Sequence, residues 1–438
     1  MLGVSSGGPT GGSERASDLS DDRPRPGPKP APTSPADLGD RDAWAVLASV
    51  HRLGPVGFGA LLGRYGSGVA ILHEAASPRG VDRLAETLLR IGPDERGREA
   101  RRLGPAVARA IAEATTTAHK TLGRIRSLGV EVVTVDDVAY PRRLAAIDMP
   151  PLVLFVMGDI ASLDARAAVA IVGTRRATDA GRGIASRIAT NLVAVGATVV
   201  SGLAVGIDGA AHSATVRAGG KTIAVIGSGH ALLRPLSHSR LAASIIDSGG
   251  AVVSELAPDV EATRGTFPRR NRVISGLSDA TVVVEAPARS GALITASWAL
   301  EQGRDCFLVP GPLGAAASEG CLAFLREFPG GARIVAGIPQ LIDDLGLADH
   351  LASPVVTRSA AATLADVGEA AGRIGRELVL GRATVDELVA TTGWPVASVL
   401  TALTLLERKG LAVGVHGRFR PAGGLAAADP AGVTTHRR

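Results

Sequence analysis

Six short apolar runs between Val130 and Leu345 constrain this 438-residue chain more than any other feature. They read AVAIVG from Ala168, ATVVSG from Ala197, KTIAVIG from Lys221, AVVSE from Ala251, ATVVVEA from Ala280 and DCFLVPG from Asp305, spaced roughly 25 to 30 residues apart. A strand with one solvated face alternates polar and apolar residues, whereas runs that are apolar throughout belong to strands covered on both sides. Amphipathic helices fill the intervals. After the first run, Ile184, Ile188, Leu192 and Val195 recur on one helical face while Arg182 and Arg187 lie off it. Right-handed βαβ crossovers between parallel strands follow. The predicted fold class is α/β, with a Rossmann-like, doubly wound, mostly parallel sheet over residues 129–346.

The flanks differ in texture. Residues 1–40 are Gly, Pro, Ser and charge, including RPRPGPKPAP from Arg23, and predict a disordered tail. Residues 41–128 carry helical periodicity interrupted at Leu53-Gly54-Pro55, which predicts a small helical domain with one helix-turn-helix hairpin. Residues 347–368 are Ala/Ser/Thr-rich and aperiodic, as in a linker. Residues 369–424 have the layout of a winged helix: Thr384 with Glu387 forms a capping box, Gly393 ends one helix, Pro395 starts the next, Lys409-Gly410 stops it, and a wing begins at Leu411. The last stretch, 425–438, again predicts a disordered tail.

In a doubly wound sheet the carboxyl ends of the strands line the binding crevice. Six clusters fall there. Gly173-Thr174-Arg175-Arg176 joins a glycine turn to two arginines, a pattern suited to phosphate, although a strand-to-helix turn with solvated arginines accounts for these four residues equally well. Ser201-Gly202-Leu203-Ala204-Val205-Gly206 forms a candidate anion nest, with Asp208 expected to cap the helix carrying His212. That pair is assigned a structural role, because no third ligand or nucleophile accompanies it. Gly227-Ser228-Gly229 opens like a dinucleotide fingerprint, but position 232 is Leu instead of the third glycine, so NAD is weakly supported.

Phe267-Pro268-Arg269-Arg270-Asn271-Arg272 places three arginines beside one aromatic ring and could hold two or more phosphates near a base or sugar. Ser290-Gly291, with Thr295 one turn on, opens a helix whose first amides suit a phosphate, though ordinary N-capping uses the same residues. Val309-Pro310-Gly311-Pro312 is expected to shape the crevice without binding. No Walker A loop or HExxH occurs, no GxSxG elbow lies at a strand end of the sheet region, and Glu255 and Glu285, which each end a strand, are expected to pair with arginines. Binding is therefore favoured over catalysis, with no catalytic residue, metal or cofactor assigned.

Composition adds limits. Net charge is only +5, from 47 Lys+Arg and 42 Asp+Glu, so the basic pI near 9.7 permits a polyanionic partner without demonstrating one. Cys306 and Cys321 have no CxxC spacing, which suits a reducing compartment. No segment reaches the roughly 20 consecutive apolar residues of a membrane span, and the chain is expected to be cytoplasmic with no membrane partner.

Taken in order, YPRRL at Tyr140, MPPLVLFVMGD from Met149, IVGTR from Ile171, SGLAVGID from Ser201, AAH from Ala210, FPRRNRVISGLS from Phe267, VVVEA from Val282, SGALITA from Ser290, GR at Gly303 and VPGP from Val309 resemble the DprA/Smf family. The resemblance implies a non-catalytic protein of DNA uptake that binds and protects single-stranded DNA in a basic pocket, self-associates as a homodimer, and helps load a RecA-type recombinase during natural transformation. It assigns DNA contact to Arg175 of the VG(S/T)R motif, to Arg270, Asn271 and Arg272 of the RNR motif, and to Ser290 and Gly291 of the SG motif. Two departures stand out: Arg234-Pro235 with His238 replaces the family's Tyr-Pro and Asn, and Leu322 follows Gly320-Cys321 where Asn is usual, with Phe328-Pro329-Gly330-Gly331 resembling an insertion. The alternatives are a Rossmann-like nucleotide-binding or nucleotide-cleaving enzyme, whose PGGxGT-type motif is missing here, and a winged-helix DNA-binding regulator, whose helix from Pro395 to Arg408 carries little charge for base reading.

Overall fold

The computed structural model describes residues 38–89, 101–263, 265–347, 364, 367–415, 418–422 and 425. The N-terminal tail up to residue 37, the C-terminal tail beyond Leu425 and most of the 347–368 linker lie outside the described residues.

Among the described residues, nine strands form one sheet: β1 Glu131–Thr134, β2 Val153–Gly158, β3 Ala168–Val172, β4 Thr198–Gly202, β5 Thr222–Val225, β6 Ala251–Ser254, β7 Ala280–Val283, β8 Asp305–Leu308 and β9 Ala332–Ile334. Their order is β1-β2-β6-β5-β4-β3-β7-β8-β9. The six apolar runs are β3 to β8, all parallel to their neighbours among themselves, and β9 extends them in parallel. On the other side β2 runs antiparallel to β6 and β1 antiparallel to β2. From β3 the chain winds one way through β4, β5 and β6, then crosses back to place β7 on the opposite side of β3. The order therefore reverses between β3 and β7, and the crossovers diverge there to leave a crevice at the carboxyl ends.

Both faces are covered, as uninterrupted apolar strands require. Ala168, Ala170 and Val172 face one core with the helices Thr266–Gly276 and Gly291–Glu301, while Val169 and Ile171 face another with Asp179–Ala194 and Ile207–Arg217. Each fully buried Val or Ile contributes about 1.5–3 kcal/mol of transfer free energy, so exposing either face would be prohibitive. Ile188 and Leu192 are buried and Ile184 and Val195 partly so, with Arg182 and Arg187 exposed, as the helical period predicts.

Among the described residues, six helices lie between Asp40 and Ser127, including Asp40–Ala48 and Pro55–Tyr65 either side of the Gly54 turn. Near the C-terminus, Glu369–Val379, Val385–Thr392 and Val396–Arg408 precede the hairpin β10 Ala412–Val415 and β11 Arg418–Pro421, around a core that includes Ile374, Leu388, Val399 and Leu406. The Thr384–Glu387 capping box forms, and Gly393 closes that helix in the left-handed conformation. No helix among the described residues is long and apolar enough to cross a membrane. Cys306 and Cys321 are buried free thiols.

Candidate functional site

A cavity of about 410 Å³ opens at the reversal point, walled by the end of β3, the start of the Gly291–Glu301 helix and one side of the Thr266–Gly276 helix. It gathers Gly173, Thr174, Arg175, Arg176, Asp208, Phe267, Arg270, Asn271, Ser290, Gly291 and Thr295 from four of the six predicted clusters. The wall also includes Arg289, which the sequence reading passed over because it stands alone in a loop. A smaller cavity of about 280 Å³ adjoins it, sharing Arg175, Phe267 and Arg270 and adding Leu203, Val205, Gly227, Arg234 and Pro235.

The loop after β3 is held tightly. The Thr174 amide donates to the Glu285 carbonyl at 2.7 Å, tying β3 to β7. Gly206 adopts φ +92° against the Thr174 carbonyl, where a Cβ would collide with backbone, so only glycine brings these two loops together. Arg175 and Arg176 then project outward and are exposed. The Arg175 guanidinium lies over the Phe267 ring, 5.3 Å from its centroid, which fixes a cation beside an aromatic face.

Arg270 is different: it is 8% exposed and donates through Nη1 to the Val225 carbonyl, and its Nε has no hydrogen-bond partner. Burial pulls its pKa down to about 10, opposed by the facing Asp208 carboxylate, so the group stays cationic at neutral pH. The Asn271 amide donates to the Gly291 carbonyl at 3.0 Å, binding this helix to the next. Ser290 N-caps that second helix by accepting from the Ala292 amide at 3.3 Å. The remaining first-turn amides and their dipole favour an anion at the same wall.

Several predicted residues are placed elsewhere. Arg269 is exposed and outside both cavities. Arg272 is 4% exposed and forms an ion pair with Glu255, so its charge is already balanced. Two residues apart on a helix, Arg270 and Arg272 point to opposite sides, and one phosphate patch cannot use both. Ser228 and Gly229 are closed in: the Ser228 carbonyl accepts from Ser254 Oγ at 2.8 Å and the Gly229 amide donates to the Val260 carbonyl at 2.8 Å. Ser201 donates to the Ile171 carbonyl at 2.5 Å from a fully buried position, and Gly202 lies beneath the cavity without lining it. Val309-Pro310-Gly311-Pro312 lines neither cavity.

Asp208 corrects the expected cap. Its helix begins at Ile207 with Gly206 as N-cap and no side-chain cap, so Asp208 sits inside the first turn and faces Arg270. Burial pushes its carboxyl up to about 6, against the stabilising pull of Arg270. His212 is fully buried, with Nε2 donating to the Gly202 carbonyl at 2.6 Å and Nδ1 2.7 Å from the Thr222 hydroxyl. Burial lowers it to about 4, and it is neutral at pH 7. Glu285 also departs from expectation: its carboxylate accepts from the Thr178 amide at 2.9 Å and hydroxyl at 2.5 Å in place of an arginine.

Comparison with known proteins bears on this architecture. Residues 131–346 match the family model described as DNA recombination-mediator protein A, and residues 358–418 match the DprA winged helix domain. The protein Smf of Escherichia coli is 38% identical over 293 residues, covering 66% of this chain and 76% of its own length. A putative DNA processing protein DprA of Mycobacterium tuberculosis is 40% identical over 274 residues, covering 62% of this chain and 68% of its own length. The X-ray structure of DNA processing protein A from Streptococcus pneumoniae superposes with a TM-score of 0.55 at 30% identity, over 70% of this chain and 98% of that one.

Proposed function

The chain belongs to the DprA/Smf family of DNA recombination mediators, and on that premise we propose that it binds single-stranded DNA at the β3–β7 crevice during DNA uptake. One observation carries the reading: four arginines, Arg175, Arg176, Arg270 and Arg289, line a cavity that holds a single carboxylate. Three of them are exposed and open to a backbone, Arg175 from its place over Phe267, while the fourth, Arg270, is buried below. Phosphate contacts supply affinity, and Phe267 under Arg175 offers one ring to a base face that a single strand exposes and a duplex hides.

The residues assigned to DNA are Gly173, Thr174, Arg175, Arg176, Phe267, Arg270, Asn271, Ser290, Gly291, Thr295 and Arg289 as the cavity wall, with Ser201, Gly202, Gly206 and Gly227 as the backbone that shapes it. Binding without catalysis is supported by the commitments of two of the local acid-base groups. His212 has both ring nitrogens engaged, and Glu285 is spent on Thr178. The same reading makes the protein a cytoplasmic homodimer that helps load a RecA-type recombinase on the bound strand; the family resemblance supports these points. A regulator acting through base readout is less well served, since the Val396–Arg408 helix exposes Val396, Leu400 and Leu405 and carries only Glu407 and Arg408 as charges.

The test is a titration of the full chain with a single-stranded oligonucleotide and its duplex at several salt concentrations. Preferential binding of the single strand is expected, with log K falling by about 0.7 per neutralised phosphate for each unit of log salt. Equal or tighter duplex binding would overturn the reading, and turnover of nucleotides by the pure protein would favour the enzyme alternative.

A further inference from the structure

The acidic residue in the cavity is not accounted for by phosphate binding. Asp208 is 6% exposed, lines the cavity itself, and is the one carboxylate among its described lining residues. It faces the Arg270 guanidinium across Gly202, where a Cβ would strike both Arg270 Nη1 and Asp208 Oδ2, so the glycine makes room for this buried arrangement. An anion entering between Arg175, Arg270 and the Ser290 helix start comes to the same low-dielectric space that the carboxylate occupies. Two like charges there compete for one buried cation.

We propose that Asp208 is an affinity-setting residue whose carboxyl takes up a proton from solvent when a phosphate enters the cavity, so that strand binding and protonation are linked. The inference rests on the DNA-binding reading above. The charged and titratable groups around Asp208 leave few other candidates for that proton. Arg270, on the facing helix, is a cation throughout the neutral range, and Arg175 stands exposed on the β3 loop. His212, on the same helix, is buried with both nitrogens engaged, and His238 packs against Gly209 with Nδ1 3.1 Å from the Leu203 carbonyl. Glu285, beside the β3 loop, is hydrogen-bonded by Thr178. The carboxyl already stands at about 6 through burial, and an added negative charge raises it further, which puts the linked protonation in the neutral range.

The experiment measures binding of an oligo-dT strand, whose bases do not titrate near neutrality, at constant ionic strength between pH 6 and pH 8. Wild-type affinity is expected to fall about tenfold over that range, since one linked proton changes log K by up to one per pH unit. Asp208→Asn should flatten the profile and bind more tightly than wild type at pH 8, whereas His238→Gln should keep the wild-type slope. If Asp208→Asn fails to fold, calorimetric titration of the wild type in buffers of different ionisation enthalpy reads proton uptake directly. Binding with no proton uptake, or a pH slope that persists in Asp208→Asn or vanishes in His238→Gln, overturns this inference and leaves the binding reading intact. Failure of oligo-dT to bind at any pH overturns both.

Discussion

The carboxyl end of β6 and the crevice between β3 and β7 use the same materials to opposite ends. At β6, Glu255 pairs with Arg272, Ser254 bonds the Ser228 carbonyl and the Gly229 amide bonds Val260, so glycines and an arginine at a strand end are consumed by the fold. At β3 and β7 the crossovers diverge, and Arg175, Arg176 and Arg289 stand over open space with Arg270 beneath. A glycine turn and arginines do not by themselves make an anion site. Topology decides whether their charges meet a protein partner or are left for a ligand.

Arg272→Met strikes the closed end of β6 directly. It leaves Glu255 without its cation in a largely buried position and should destabilise the protein by about 3–5 kcal/mol in a denaturant titration. Oligonucleotide affinity of the folded fraction should stay within about twofold. A large loss of affinity with little loss of stability would show that the β6 end belongs to the site.

The polar floor beneath the crevice carries two opposed pH dependences. Asp208 has a folded pKa raised to about 6, so on acidification from pH 6 towards 4 the native state binds the extra proton and gains stability. His212 has a folded pKa lowered to about 4, so over nearly the same window the unfolded state binds the proton and stability is lost. The two contributions oppose and largely cancel in the wild type. Asp208→Asn removes the first and exposes the second: relative to wild type, its stability should drop by on the order of 1.4 kcal/mol per pH unit between 6 and 4.5. A variant whose pH profile parallels the wild type would show that the opposing shifts are not there.

Much of this architecture is legible in the chain, and the illegible parts have specific causes. The six parallel strands show themselves because burial on both faces leaves no polar position, and helix caps at Thr384 and Gly393 are local events that neighbouring residues determine. The direction of β2 is not local: Val153–Gly158 is as apolar as its neighbours, and only pairing with β6 makes it antiparallel. Within the site, the arginines at 270 and 272 looked like one patch in linear order, although a helix separates positions i and i+2 by about 200°. Asp208 resembled a cap until the helix began one residue before it, and Arg289 carried no motif to distinguish it from a solvated loop residue.

The open side of the comparison is tested by Arg175→Ala. The side chain combines an exposed charge with contact to Phe267, so its loss should weaken single-strand binding by about tenfold to a hundredfold, the range for a charge-assisted contact of about 1.5–3 kcal/mol. The salt slope should fall by about 0.7 if the residue neutralises one phosphate. Stability should hardly change, because Arg175 is exposed and is not part of the closed network at β6. An unchanged affinity would remove the β3 loop from the site.

Arg289 gives the smallest effect and the finest discrimination. It is exposed, lines the cavity from the loop after β7 and, among the described residues, has no aromatic ring against which its guanidinium is fixed, so any phosphate contact must first order a long side chain. Arg289→Ala should therefore weaken oligonucleotide binding only about threefold, the scale of an exposed ion pair. If the crevice is bridged by backbone phosphates from β3 to β7, the salt slope should nevertheless fall with it, because counterion release depends on charge neutralised and not on how rigidly the cation is held. A small affinity loss with an unchanged slope would place the strand along the Arg175–Phe267 side alone, and combining Arg289→Ala with Arg175→Ala would then give strictly additive losses, as independent positions do.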